Sequence, residues 1–162
     1  MSTKALSTYL NDHLAGSAAA LELLDHLAEL HPDPDRKRFF IGLRAEVAED
    51  QSVLQQLLGT MGGKESTVRK AAAWLAEKVG QVKLRLDDLG DGQLRVFEAI
   101  EMLGLGIQGK LALWQALAAV ADQVPQLQGV DFARLEQRAI QQHQRVETER
   151  LQTARVALKI DP

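Results

Sequence analysis

Apolar residues recur every three or four positions over most of the chain, which is the periodicity of amphipathic α-helices. The pattern predicts five helices, over residues 3–30, 34–61, 66–86, 93–121 and 131–158. In the second helix the apolar positions follow a seven-residue repeat. Its stripe comprises Phe40, Leu43, Val47, Asp50, Leu54, Leu57 and Met61. No strand pattern, tandem repeat or low-complexity tract is visible, so the sequence predicts an all-α fold in a single domain over residues 1–162.

The connections between the predicted helices suggest how the helices are arranged. Asp33 is expected to be the N-cap of the second helix and Pro34 its first residue, so the first two helices are separated by a very short link. A link this short makes them antiparallel neighbours. The third segment, residues 66–86, would be roughly 30 Å long as a helix, at ~1.5 Å per residue. It could therefore carry the chain back along the bundle.

This arrangement predicts a four-helix bundle with one crossover helix, which is the topology of ferritin-like folds. Residues 93–121 would then run parallel to residues 34–61, and the last helix would run antiparallel to them. A plain five-helix antiparallel bundle is the alternative, since the pattern alone does not say whether residues 66–86 join the core.

Composition excludes several function classes. The chain has 162 residues and no cysteine, which excludes disulfides, thiolate metal sites and cysteine nucleophiles. The net charge is −3, so attraction of the whole molecule to nucleic acid or an anionic membrane is not expected. The N-terminal residues lack the apolar core of a signal peptide, and no apolar run approaches the ~20 residues of a membrane span. A cytoplasmic location is therefore the expectation.

Polar residues on the inner helix faces are the first candidate site. Burial of an unpaired charge is costly, so a polar residue in an apolar stripe needs a partner or a ligand. Imidazoles and carboxylates suit iron, manganese or zinc, and sharing one layer of the bundle would make them a metal site. Six candidates fall near the helix midpoints: His13, Glu46, Asp50, Glu101, His143 and Glu147. The alternative is that these groups form a buried hydrogen-bond network or turn to solvent at the rim.

Glycines in the fourth predicted helix offer a second candidate site. Gly104, Gly106 and Gly109 interrupt a strongly patterned helix, and each costs about 1 kcal/mol relative to alanine. Residues 16–20 of the first helix have the same small-residue character. Close packing of the two helices is the more common reason for such residues. The other interpretation is a small-molecule pocket beside the glycines.

A third candidate lies on the predicted crossover helix. Trp74 falls between Lys70, Lys78 and Arg85 rather than on the apolar stripe of that segment. An exposed tryptophan among cations predicts a docking or dimer patch. The alternative is a solvated helix face on which Trp74 lies flat over its own neighbours.

The chain also resembles the ferritin-like superfamily. Residues 100–111, Ile-Glu-Met-Leu-Gly-Leu-Gly-Ile-Gln-Gly-Lys-Leu, resemble the third bundle helix of stress-associated bacterial ferritin-like proteins of the YciF kind, and residues 9–24 are similar to their first helix. Family members with a di-iron site carry a glutamate on each of two helices and a Glu-x-x-His motif, or a carboxylate variant, on each of the other two. The resemblance implies Glu101 as the third-helix ligand.

The rest of the family ligand pattern is incomplete in this chain. Gly104 stands where the family continues with an acidic residue, three positions after Glu101. Ile140 precedes His143 at the position of the expected glutamate, and Val47 precedes Asp50 in the same way. The resemblance therefore implies a ferritin-like bundle whose metal site is eroded.

Two functions follow as expectations from the sequence. The first is a non-catalytic bundle without a cofactor that acts through protein contacts and forms a homodimer. The second is a bundle that binds iron, manganese or zinc, with oxidoreductase or metal-handling activity. The sequence shows no legible catalytic triad and no phosphate-binding loop.

Overall fold

The computed structural model describes residues 4–61 and 92–159. They form four long helices, named here α1 (Lys4–Leu30), α2 (Pro34–Thr60), α3 (Gln93–Ala118) and α4 (Phe132–Ala157), with a short 3₁₀ turn at Pro125–Leu127. This part of the chain contains no strand, so the all-α prediction is confirmed. The bounds of the four helices agree with the sequence prediction to within three residues. The predicted crossover helix, residues 66–86, lies outside the described residues.

Side-chain caps begin two of the helices as expected. Asp33 is the N-cap of α2, and its carboxylate accepts hydrogen bonds from the backbone N–H of Asp35 at 2.8 Å and of Arg36 at 3.4 Å. These two hydrogen bonds hold the pKa of Asp33 below its usual value. Asp131 caps α4 in the same way, accepting from the backbone N–H of Arg134 at 3.0 Å. Both caps satisfy backbone donors that the first helical turn leaves without partners.

Two core clusters show how the helices run. In the first, Leu10 and Leu14 near the start of α1 pack with residues from the ends of α2 and α3 and the start of α4. In the second, Leu24 and Leu27 near the end of α1 pack with residues from the starts of α2 and α3 and with Val146 of α4. Helix α1 is therefore antiparallel to α2 and α3 and parallel to α4. The described helices thus form a four-helix bundle in which α2 and α3 are parallel.

The core stripe predicted for α2 is confirmed at every position. All seven residues are buried, and among them Phe40 and Leu43 have no exposed surface. Asp50, the single charged member of the stripe, is only 2% exposed. A buried carboxylate at a core position must have compensating partners, and the site below contains them.

The core face predicted for α4 is wrong by one residue. From its spacing the sequence predicts a stripe of Ile140, His143, Glu147, Leu151 and Ala154 on this helix, but Leu151 is 49% exposed. The buried residues are instead Phe132, Ala139, Gln142, Val146, Glu149 and Thr153. Three of these six residues are polar. The core face inferred from hydrophobic periodicity therefore lies about 100° away from the true core face, which is the rotation between one helical residue and the next.

Candidate functional site

Asp50 lies at the centre of an ion-pair network that joins three helices. Its Oδ2 is 2.5 Å from Nζ of Lys110 on α3, and its Oδ1 is 2.7 Å from Nη2 of Arg138 on α4. The contact with Lys110 is also a charge-assisted hydrogen bond, which is among the strong ones in proteins, whereas the contact with Arg138 is an ion pair only, because Oδ1 receives no hydrogen bond from the described residues. One buried carboxylate is thus held by two cations from different helices.

Gln142 extends the network along α4. Its side-chain carbonyl accepts a hydrogen bond from Lys110, and its amide nitrogen donates to Glu46 at 3.1 Å and to Asp50 at 3.4 Å. Arg145 reaches Glu46 from the solvent side, with 2.6 Å between Nη2 and Oε2. The buried amide of Gln142 thereby uses both its oxygen and its nitrogen, as a buried polar side chain must.

Electrostatics within the network hold two groups away from their ordinary pKa values. Burial lowers the pKa of Lys110, and the neighbouring Asp50 carboxylate opposes that shift. Burial by itself would raise the pKa of Glu46, but hydrogen bonds from Arg145 and Gln142 leave it below the usual value. The Glu46 carboxylate is therefore stabilised as an anion by Arg145 of α4.

A pocket of about 90 Å³ lies beside the network, where α1, α2 and α3 meet. It opens to solvent where the exposed Gly16 and Gly106 lie. This volume exceeds the ~10–15 Å³ that one water molecule needs and is below the ~150 Å³ of a cavity that holds benzene. The lining residues are His13, Gly16, Ser17, Ala20, Val47, Asp50, Gln51, Leu54, Gly106, Ile107, Lys110 and Leu113.

Two of the glycines singled out in the sequence line this pocket and make no close helix contact. A Cβ added at Gly16 or at Gly106 would meet no atom within 4 Å, and the same is true of Gly109. Only at Gly104 would a Cβ touch another helix, at 3.7 Å from Val146. The expectation of close packing is therefore wrong for Gly16, Gly106 and Gly109, because these positions face open space.

The α1 side of the pocket carries its neutral polar groups. Ser17 donates to the backbone oxygen of Leu14 at 2.7 Å and accepts from the side-chain amide of Gln51 at 3.0 Å. The ring of His13 packs edge-on against Tyr9. Burial lowers the pKa of His13, with the Asp12 carboxylate opposing the shift, so His13 is neutral at pH 7.

The six predicted metal ligands are not brought together in one group. Glu46 and Asp50 belong to the ion-pair network, and His13 lies on the α1 side of the pocket. In residues 4–61 and 92–159, no three or more His, Asp or Glu residues form a group that could hold a metal ion.

The three remaining candidates lie on the surface between α3 and α4. Arg150 binds Glu101 at 3.1 Å and Glu147 at 2.7 Å, while Nε2 of His143 is 2.9 Å from the side-chain nitrogen of Gln108. The hydrogen bond from Arg150 holds the pKa of Glu147 below its usual value. Arg150 therefore pairs with both of these carboxylates.

Trp74, Lys70, Lys78 and Arg85, the predicted interaction patch, lie outside the described residues.

Sequence reasoning missed the roles of Arg138 and Gln142. They lie four residues apart on one face of α4, next to the predicted stripe rather than on it. The available signal was Asp50 itself, since a charge in an otherwise apolar seam requires a cation from a facing helix.

None of the helices in the described ranges is long and apolar enough to cross a lipid bilayer. No family model, curated protein or solved structure matches the chain. The function must therefore be argued from the geometry of the pocket and the network.

Proposed function

We propose that the chain is a non-catalytic helical bundle that binds a small molecule in the pocket between α1, α2 and α3. The observation that carries this proposal is the pair of glycines, Gly16 and Gly106, that leave the pocket open. A glycine in a helix costs about 1 kcal/mol relative to alanine. An alanine would fit at both positions without touching another helix, so helix packing does not account for the glycines, whereas access for a ligand does.

The state of Asp50 and Ser17 supports a binding role for these two side chains. Both oxygens of Asp50 are engaged by cations, and the Ser17 hydroxyl is engaged by a donor and an acceptor. A general base or a nucleophile needs a free lone pair that is directed at a reacting atom. These side chains are held in place as the walls of a preformed site.

Filling the pocket tests this proposal. Gly106→Leu should abolish the binding of small molecules that are found by screening a fragment library with ligand-observed NMR, while the helices stay folded by circular dichroism. Gly109→Leu is the matched control, because Gly109 is on the same helix, also faces open space and does not line the pocket. Fragment binding that survives Gly106→Leu unchanged would refute a ligand site at this position.

We infer further that the chain is a ferritin-like bundle in which ion pairs occupy the midplane in place of a metal. The parallel arrangement of α2 and α3 supports the relation, because ferritin-like bundles have it. The engagement of Asp50 and Glu46 by cations supports the loss of the metal.

Metal content tests this inference against the alternative of a metal-binding protein. Untagged protein from cells grown with iron, manganese and zinc should hold well below one equivalent of any of them by plasma mass spectrometry. One or two equivalents that disappear in both Glu101→Ala and His143→Ala would favour the metal-binding function instead.

Self-association is a second candidate function, and it is favoured by the outer face of α3. Met102 and Leu105 lie one turn apart on that face and are 65% and 60% exposed. Large apolar side chains that are exposed side by side often mark protein contacts. A second copy of the chain would cover them in a homodimer.

Light scattering tests this second candidate. The protein should scatter as a species of twice the 17.8 kDa chain mass. Met102→Glu should shift it to the monomer, while Gln115→Glu, the same charge change on an exposed residue of α3, should leave the dimer intact. A monomer at all concentrations would exclude the homodimer.

A further inference from the structure

Lys110 is a cationic residue of the pocket lining with unused hydrogen-bonding capacity. An ammonium group has three N–H donors. Lys110 donates to Oδ2 of Asp50 and to the side-chain oxygen of Gln142. No acceptor in the described ranges takes the third N–H, although the side chain is only 12% exposed and lines the pocket. A buried donor without a partner is costly, so an acceptor in the pocket would gain by pairing with it.

Asp50, the other charged residue of the lining, is already paired. Its Oδ2 accepts from Lys110 and Gln142, and its buried Oδ1, which receives no hydrogen bond from the described residues, is 2.7 Å from Nη2 of Arg138. A cationic ligand would have to displace Lys110 or Arg138 from this carboxylate, because Oδ1 is buried and Oδ2 is already bonded. An anionic ligand, in contrast, would meet Lys110 directly.

The remainder of the lining suits a short alkyl chain. Aliphatic side chains supply one from α1, two from α2 and two from α3: Ala20, Val47, Leu54, Ile107 and Leu113. With about 90 Å³ available and an opening to solvent, the pocket has room for a ligand of a few heavy atoms.

We propose that the ligand is a small aliphatic carboxylate, with its carboxylate on the ammonium of Lys110 and its alkyl chain against Val47, Leu54 and Ile107. This inference rests on the proposed binding function and assigns the chemical class of its ligand. Gly16 and Gly106 line the same pocket, so the resonances of their backbone N–H groups report occupation of the site.

Three probes of nearly equal shape separate the role of charge from the role of size. ¹⁵N-labelled full-length protein is titrated with butanoate, butanamide and butylammonium, and the amide shifts of Gly16 and Gly106 are followed. Butanoate should bind saturably, and butanamide should bind about tenfold more weakly or worse, because its carbonyl oxygen can still accept from Lys110 but carries no charge to pair with the ammonium. Butylammonium should leave the two amides unshifted.

Two variants place the binding in the pocket. Lys110→Met should weaken butanoate binding about tenfold or more and weaken butanamide binding less. The control Lys37→Met removes the same charge from an exposed position on α2 and should change neither. Gly106→Leu leaves the ion pairs in place and should abolish the binding of both probes, so the test does not depend on the fold of the Lys110 variant.

The outcomes distinguish this inference from the proposed function on which it rests. If butanoate and butanamide bind equally well and both lose binding in Gly106→Leu, the assignment of a carboxylate ligand is overturned and the pocket function stands. Preference for butylammonium, or butanoate binding unchanged in both variants, would also overturn it. If none of the three probes shifts the two amides, the assignment of a carboxylate ligand is overturned. The fragment screen then tests the pocket function separately.

Discussion

Asp50→Ala should lower the free energy of unfolding by about 3–5 kcal/mol, the usual cost of breaking a buried ion pair by removing one partner. The carboxylate is only 2% exposed and is the partner of both Lys110 and Arg138. Without it, two cations from α3 and α4 remain in the interior, and Lys110 retains a single acceptor, Gln142. Urea denaturation followed by circular dichroism measures the loss.

Two companion variants identify the cause of that loss. Glu49→Ala removes another carboxylate that binds Arg138, but its side chain is 69% exposed, so the cost should stay below about 1 kcal/mol. The double variant Asp50→Ala with Lys110→Met should recover part of the stability, because one stranded cation is gone. Equal costs for Asp50→Ala and Glu49→Ala would show that the network does not stabilise the interior.

The core of α2 was predictable because its pattern has a single polar exception. Phe40, Leu43, Val47 and Leu54 define the buried stripe without ambiguity, and Asp50 falls on it by spacing alone. The interior position of Asp50 therefore followed from the sequence. Its partners did not, because Lys110 and Arg138 reach it with long side chains from helices whose relative rotation is set by packing.

The core face of α4 was not predictable in the same way because it is half polar. Gln142, Glu149 and Thr153 occupy buried positions, while the apolar Leu151 is 49% exposed. Hydrophobic periodicity assumes that the apolar residues face inward. In α4 that assumption fails, because Gln142 and Glu149 face inward and pair with polar side chains of α2. The error of one residue moved His143 and Glu147 into the predicted metal layer.

The glycine pocket was predictable only as one of two alternatives. Gly16 and Gly106 are compatible with closely packed helices or with space between them, and the sequence contains no measure of the distance between α1 and α3. The structure decides the matter, since a Cβ at either position would meet nothing within 4 Å.

Trp114→Ala should cost about 3–5 kcal/mol of unfolding free energy, the range for a large aromatic side chain removed from a core. Trp114 has no exposed surface and packs in the first core cluster with Leu10, Leu57 and Leu117. Its indole N–H has no hydrogen-bond acceptor within the described part of the chain. Thermal and urea unfolding measure the loss, with Leu94→Ala as the control, since Leu94 is a 46% exposed residue of the same helix.

Trp114→Phe separates the two properties of this side chain. Phenylalanine keeps most of the apolar ring and removes the unpaired donor, whose burial costs about 1–3 kcal/mol. That gain offsets the smaller volume, so the phenylalanine variant should lie within about 1 kcal/mol of the natural protein, well above the alanine variant. If phenylalanine were as costly as alanine, the indole N–H would have to be bonded in solution, because lost ring volume alone does not make these two substitutions equal.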